Sequence, residues 1–293
     1  MNKFNRKPEW LKVRMEVNKN FQGVRDIIQA SHLHTVCEEA KCPNIHECWG
    51  RGTATFMILG DTCTRSCRFC AVKTGRPGIP DLKEPLRVAR SVQEMKIKHV
   101  VITSVNRDEL DDGGSDIWAA TIRKVRELNP ETTIEVLTPD FKGIKAQLYR
   151  VFDARPDIFS HNLETVPRLY RKVRPQARYE RSLEVLKESS QTGLITKTGI
   201  MVGLGERFDE IISLMEDTVK NGVDILTIGQ YLQPTMEHLP VSRYVPPEEF
   251  EKMQKAGIEV GLKHVESGPL VRSSYHSEEQ YEKLTARRAR VSI

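Results

Sequence analysis

The sequence predicts an α/β fold, a parallel sheet closed or partly closed by helices. Three observations predict it. Between residues 55 and 230, short apolar runs alternate with amphipathic stretches. The apolar runs are strand-sized and rich in β-branched residues, as strands buried on both faces are. The alternation repeats six times, which is the signature of β-α units around a parallel sheet.

Taken in order, the first strand is expected over 55–60 and the first helix over 85–96. The run KHVVITS gives a strand at 98–104, and a helical pattern at 115–128 stops at Asn129-Pro130. TTIEVLT gives a strand at 132–138, followed by a helix at 143–152. A strand at 157–162 and a helix at 179–191 come next, then KTGIMVGL as a strand at 197–204. The helix over 207–221 ends at Asn221-Gly222, before DILTIGQY as a strand at 224–231 and a last helix over 247–263. No internal duplication of sequence accompanies the architectural repeat.

Composition narrows the class. A chain of 293 residues buries most of the surface that its unfolded state exposes, so it needs no staples. With 39% hydrophobic residues and 18 Gly it is neither disordered nor collagenous, and six Cys are too few for a disulfide scaffold. No stretch approaches the ~20 apolar residues of a membrane span. The charged N-terminus lacks the apolar core of a secretory signal. A soluble, cytoplasmic protein without a membrane partner is expected, and in that compartment cysteines are ligands more often than disulfides.

All six cysteines fall between Cys37 and Cys70. They form two triplets: Cys37, Cys42 and Cys48, then Cys63, Cys67 and Cys70, with a strand-like run between. Buried thiols serving as small hydrophobes would scatter along the chain. Zinc wants four closed ligands, and His46 would complete only the first triplet. Two iron–sulfur cubes are the third reading. A [4Fe–4S] cube wants four terminal ligands, so three thiolates leave one iron open to a substrate or cofactor.

The run from Cys63 to Cys70, with Phe69 before the last cysteine, resembles the motif of radical S-adenosylmethionine (SAM) enzymes. The context from Thr35 to Asn44 resembles the lipoyl synthase family specifically. Four more segments agree: Arg107-Asp108 with Asp112-Gly113-Gly114, His161 to Val166, Gly229 to Pro234, and Arg272 to Tyr275. The similarity runs from about residue 8 to residue 280, and departures such as Glu109 and Thr198 are conservative. The resemblance implies a partial (β/α)6 TIM-like barrel of the radical SAM type over 51–267. It implies an N-terminal extension over 1–50 carrying the first triplet, and a C-terminal segment over 268–293 that supplies a serine ligand.

Polar residues stand at the C-terminal ends of the expected strands, where βα-barrels place their chemistry. These are Thr103, Ser104, Asn162, Glu164 and Gln230, which the resemblance puts near SAM. Asn162 and Glu164, two apart, would share a strand face. The glycines from Gly199 to Gly205 do not fit a dinucleotide fingerprint, and a close backbone approach to adenosine suits them better.

The resemblance implies insertion of two sulfurs, at C6 and C8 of a protein-bound octanoyl-lysine, to form the lipoyl cofactor. Two [4Fe–4S] clusters and two SAM per lipoyl group would be used. Cys63, Cys67 and Cys70 would hold the cluster that binds SAM. Cys37, Cys42 and Cys48, with Ser274 as fourth ligand, would hold the sulfur donor. An alkoxide oxygen suits an iron–sulfur corner poorly, which would leave that corner labile. Implied partners are octanoylated lipoyl carrier domains (E2 subunits or the glycine-cleavage H protein), an electron donor such as flavodoxin or ferredoxin, and an iron–sulfur carrier to rebuild the donor cluster.

The net charge is +5, with basic runs over 1–25, 168–181 and 281–293. An acidic protein partner fits them at least as well as nucleic acid, since few aromatics interleave; no nucleic-acid partner is expected. Arg174 and Arg178 are candidates for ordering SAM or the carrier. The alternatives are another radical SAM sulfur-inserting enzyme, of the biotin synthase or methylthiotransferase type, and an iron–sulfur or zinc protein that binds RNA.

Overall fold

A computed structural model describes residues 6–13 and 17–291, with side chains as far as 286. Parts of the two terminal basic runs, including residues 1–5, 14–16 and 292–293, therefore lie outside the described residues. The ten strands among the described residues are β1 (His34–Thr35), β2 (Thr55–Ile58), β3 (Thr62–Cys63), β4 (Lys73–Thr74), β5 (His99–Ser104), β6 (Thr133–Leu137), β7 (Ile158–Ser160), β8 (Ile195–Val202), β9 (Ile225–Gln230) and β10 (His264–Gly268). Eight of them form one sheet in the order β1-β2-β5-β6-β7-β8-β9-β10. Every neighbouring pair is parallel except β1 with β2.

The helices that cross between strands are those expected. Preceding them are α1 (Lys19–Ala30), α2 (Val36–Glu39) and α3 (Ile45–Gly50). Then come α4 (Glu84–Glu94), α5 (Ser115–Leu128), α6 (Lys145–Phe152), the short α7 (Tyr170–Val173), α8 (Tyr179–Gln191), α9 (Phe208–Lys220), α10 (Pro247–Glu259) and α11 (Ser277–Val291). The expected helix over 247–263 stops early because Gly261, at φ +113°, cannot continue it. None of the described helices is long and apolar enough to cross a membrane.

The six expected strands are all present, and the parallel α/β class is as predicted. A seventh parallel strand, β10, was not expected, because His264, Glu266 and Ser267 alternate with a single buried Val265. The order is linear, so β1 and β10 remain edges.

The two faces of the sheet differ in chemistry, by the period-two alternation of strand side chains. Val100, Ile102, Ile134, Val136, Leu226 and Ile228 pack under the helices as core. The residues between them turn to the other face: His99, Val101 and Thr103 on β5, Glu135 on β6, Lys197 and Gly199 on β8, Thr227 and Gly229 on β9. Part of that face is polar or side-chain-free and encloses a site, while Ile158, Ile195 and Ile225 on the same face pack against Leu284 of α11. The segment 269–276, between β10 and α11, enters it. A Cβ on Gly229 would lie 2.0 Å from the Val271 carbonyl oxygen, so only glycine admits this strap.

Candidate active site

The second cysteine triplet hangs from the C-terminal end of β2. Leu59 and Gly60 turn the chain through positive φ, and Cys63 ends β3. β3 pairs with β4, and Gly75 N–H donates to the Cys63 carbonyl at 2.9 Å, so the cysteine loop is closed at its base. Inside the loop, Arg65 is almost fully buried and forks onto Asp108 at 2.6 and 2.9 Å and onto Asp140 at 2.6 Å. Burial would raise the Asp140 pKa, but Arg65 holds it well below the usual carboxylate range.

This clamp explains the Arg107-Asp108 motif. Arg107 donates to the carbonyls of Leu59 and Gly78, while Asp108 holds Arg65. Gly114, at φ +84°, leaves space for Leu59; a Cβ there would lie 2.5 Å from Leu59 Cδ1.

The backbone N–H groups of Arg65 and Asn106 donate to Cys63 Sγ at 3.4 and 3.3 Å. Such donors stabilise a thiolate or a cluster sulfur. Burial pushes the Cys70 thiol up to about 12, with Cys67 and Cys63 adding to it. Burial also raises Cys67, against the pull of Arg174. Cys67 and Cys70 thus lie close enough to Cys63 and to Glu164 to be affected by them, and Cys67 also faces Arg174.

Beside them lie the expected polar residues, differently supported than the sequence suggested. β7 ends at Ser160, so Asn162 and Glu164 do not share a strand face. Glu164 instead takes φ +68° and rejoins β8, donating N–H to the Gly199 carbonyl at 2.9 Å. The two still meet: Asn162 Nδ2 donates to Glu164 Oε1 and to Ser273 Oγ, both at 3.2 Å. Asn162 Oδ1 and Arg174 Nε are buried without a partner. Burial raises the Glu164 pKa, with Arg174 opposing. Gly199 yields its space to Thr227 Oγ1 and Asn162 Oδ1, which a Cβ would meet at 2.5 and 2.9 Å. Its contacts are thus with protein atoms.

Thr103, Ser104 and Gln230 spend their polar groups on the frame. Thr103 donates to the Leu137 carbonyl at 2.9 Å, and Ser104 donates to Val105 and accepts from Trp118. The Gln230 amide donates to the carbonyls of Tyr231 and Arg243, and its oxygen accepts from Val245 N–H at 2.8 Å. His161 is held at both ring nitrogens, and burial lowers its pKa to about 4, so it is neutral.

The first triplet lines a cavity of about 160 Å³. Cys37 lies on α2, which Thr35 caps through its side chain. Cys42 follows a left-handed Lys41, and Cys48 lies on α3. The strap supplies the opposite wall with Arg272 and Ser274, and Val101 and His99 of β5 line it as well. Burial pushes Cys37 to about 11 and Cys48 to about 12, and raises Cys42 against Arg272. Asn44 Nδ2 donates to the Leu270 carbonyl at 2.7 Å, Tyr275 Oη donates to Glu47 at 3.1 Å, and Arg51 pairs with Glu279 at 3.1 Å. The wall is therefore pinned to α3 from outside.

It is pinned from inside as well. Lys197 and Glu135, both fully buried, pair at 3.0 Å, and Lys197 donates to Ser277 Oγ at 3.1 Å. Ser277 also donates to Glu135 and lies 3.1 Å from His99 Nε2. Burial would raise the Glu135 pKa, yet Lys197, His99 and Ser277 hold it down at about 2.

His46, which would complete a zinc site, stacks on Phe21 at 5.1 Å and is absent from the cavity lining. No three His, Cys, Asp or Glu among the described residues converge on a point suited to a single metal ion. The three thiols of the first triplet are instead spread around one cavity, a donor set suited to a group larger than a single ion. Arg65, Arg272, Ser273 and the Glu135–Lys197 pair were not legible from spacing.

Comparisons with known proteins agree with one another. The family model described as the radical SAM superfamily matches residues 57–218, and that for the N-terminal domain of lipoyl synthase matches 2–42. A curated lipoyl synthase of Rubrobacter xylanophilus is 59% identical over 278 residues, covering 94% of this chain and 87% of that one. One of Bacillus cereus is 56% identical over 280 residues, covering 94% of each. Among solved structures, Streptococcus suis SuiB bound to S-adenosylmethionine gives a TM-score of 0.55 at 13% identity, over 74% of this chain and 51% of SuiB. HydG, a maturase of the [FeFe]-hydrogenase, gives 0.54 at 12% identity, over 94% of this chain and 68% of HydG. These two show a shared fold.

Proposed function

The chain belongs to the lipoyl synthase family of the radical SAM superfamily, and on that premise we propose that it inserts two sulfur atoms, at C6 and C8, into a protein-bound octanoyl-lysine. What carries the reading is the presence of two separate gatherings of three thiols, each with a non-cysteine face. One face holds the unpartnered Asn162 Oδ1 and Arg174 Nε; the other holds Ser274.

Cys63, Cys67 and Cys70 would hold one [4Fe–4S] cluster, and Cys37, Cys42 and Cys48 with Ser274 would hold a second. When bound, the first supplies the electron that cleaves SAM and hence the radical for hydrogen abstraction, and the second supplies sulfur. Arg65, fixed by Asp108 and Asp140, keeps the SAM-side loop in one shape. Asn162 Oδ1 would accept from the SAM amino group and Arg174 Nε would donate to its carboxylate, since each is buried with that capacity unused. Glu164, drawn to the same place by Asn162, sets the charge there. Thr103, Ser104 and Gln230 hold the strand ends that shape the pocket. The strap from Arg272 to Ser274 separates the two sites and touches both.

The division proposed with this reading is an N-terminal extension over 1–50, a barrel over 51–267 and a C-terminal segment over 268–293. The octanoylated carrier, the electron donor and the iron–sulfur carrier are proposed on the same premise. After anaerobic reconstitution the protein should hold about eight iron, two cubes of four. With SAM, a reductant and an octanoylated carrier it should release 5′-deoxyadenosine and form lipoyl product. Four iron, a single zinc, or radical cleavage without lipoyl product would overturn the reading.

A further inference from the structure

The basic run over 168–181 divides in the folded protein. Arg168 pairs with Glu210 at 2.6 Å, Arg181 lies 3.3 Å from Asp140, and Arg174 is buried beside Glu164. Arg171, Lys172 and Arg178 are exposed and belong to no ion pair among the described residues. Some exposed cations elsewhere are matched, as Arg207 is with Asp209 and Arg243 with Glu249, and others, such as Lys187 and Lys220, have no ion pair among the described residues. What sets Arg171 and Lys172 apart is their place.

They stand beside the SAM-side cysteine loop. Arg68 N–H donates to the Val173 carbonyl at 2.9 Å, and Gln176 donates to Ser66 Oγ at 2.8 Å. The stretch around α7 is thus tied to the loop between Cys63 and Cys70. Arg68 itself is exposed and in no ion pair among the described residues, and so is Arg76, which follows the Gly75 contact to Cys63.

The loop that follows Arg76 carries the most exposed apolar side chains of the described residues. Ile79 is 97% and Leu82 82% exposed. Their loop is held in place, not loose: Arg107 bonds the Gly78 carbonyl, Asp81 accepts from Lys83 N–H, and Asp81 pairs with Arg87. A fixed loop that presents aliphatic groups to water beside unmatched cations has the make-up of a docking surface, an apolar patch within a charged rim. Stacking of nucleic-acid bases would call for aromatic side chains here, and the exposed apolar groups are Ile and Leu.

We propose that this rim docks an acidic protein domain, the carrier whose acylated lysine enters the barrel beside Cys67. The proposal rests on the function proposed above and adds the surface that recognises the carrier's body. Negative charge on the carrier meets Arg68, Arg76, Arg171 and Lys172, and its apolar side chains cover Ile79 and Leu82.

The test compares Arg76→Glu/Arg171→Glu/Lys172→Glu and Ile79→Asp/Leu82→Asp with the unchanged, reconstituted protein. Binding of an octanoylated carrier domain is measured by calorimetry at low and high salt. Lipoyl formation is measured on that carrier and on a short, uncharged octanoyl-lysyl peptide. Both variants should weaken carrier binding roughly tenfold or more and raise its KM in parallel. The peptide's kinetics and 5′-deoxyadenosine release should stay within about twofold, which also reports an intact fold. Loss on carrier and peptide alike, or on neither, overturns the docking surface and leaves the proposed reaction standing. Carrier binding that depends on the rim without any lipoyl product would overturn the reaction and leave the surface. Tight binding of RNA abolished by the same charge reversals, with carrier binding unaffected, would assign the rim to nucleic acid instead.

Discussion

Lys197→Met removes the cation from a pair with no access to water. Lys197 and Glu135 are both fully buried and 3.0 Å apart. Deleting one partner of such a pair strands the other charge and costs about 3–5 kcal/mol. At an unfolding entropy near 2.1 cal/mol/K per residue, a chain of this size has about 0.6 kcal/mol/K, so Tm should fall by roughly 5–8 °C. Ser160 Oγ at 3.1 Å and His99 at 3.5 Å remain near Glu135 and keep the loss from being larger.

The pH dependence has a defined sign. Glu135 is held at about 2, below the ordinary 4.5, so its stabilisation is complete above 4.5 and is lost as pH falls toward 2. In Lys197→Met burial dominates, so Glu135 takes up a proton more readily. The stability gap between the two proteins should therefore narrow on acidification. Glu135→Gln/Lys197→Met, with both charges gone, should be more stable than the sum of the single changes by about 2 kcal/mol. Urea unfolding of the metal-free proteins at pH 7 and pH 4 measures all three quantities. A loss below about 1 kcal/mol for Lys197→Met, or strict additivity in the double variant, would refute the reasoning.

Other consequences follow from the same geometry. Gly229→Ala should push the Val271 carbonyl away by the 2.0 Å contact its Cβ would make, and so loosen the wall that carries Ser274. The expected signature is iron lost from the first triplet with about four iron retained on the second; equal retention at both would count against it. Arg65→Lys cannot fork onto Asp108 and Asp140, so it should cut iron retention at Cys63, Cys67 and Cys70 while sparing the other site. Because burial raises the Cys37, Cys48 and Cys70 thiols to about 11 or 12, iron uptake must displace their protons. Reconstitution should accelerate as pH rises from 7 to 9, and a flat profile would contradict the burial argument.

Six strands of the sheet were legible because their apolar positions sit in one continuous run each, as in HVVITS of β5. The triplets were legible because their cysteines lie within one short stretch. What stayed hidden joins distant parts of the chain. Arg65 meets Asp140 across 75 residues and Lys197 meets Ser277 across 80, pairs that no local pattern marks. β10 was missed because its inner face is polar, which lowers the hydrophobic signal that strands are recognised by. Asn162 and Glu164 were grouped correctly on an incorrect ground: a left-handed Glu164, not a shared strand face, brings them together. The basic run was visible as charge, but only the fold shows that Arg168, Arg174 and Arg181 are engaged and Arg171 and Lys172 are not.

The division of labour between the triplets is the centre of the account. It is tested most directly by assaying anaerobically reconstituted Cys42→Ala beside Cys67→Ala for 5′-deoxyadenosine and lipoyl product on an octanoylated carrier. Cys67→Ala should release no 5′-deoxyadenosine, whereas Cys42→Ala should still release it and form no lipoyl group. Lipoyl product from Cys42→Ala would contradict the assignment of the first triplet as the source of sulfur.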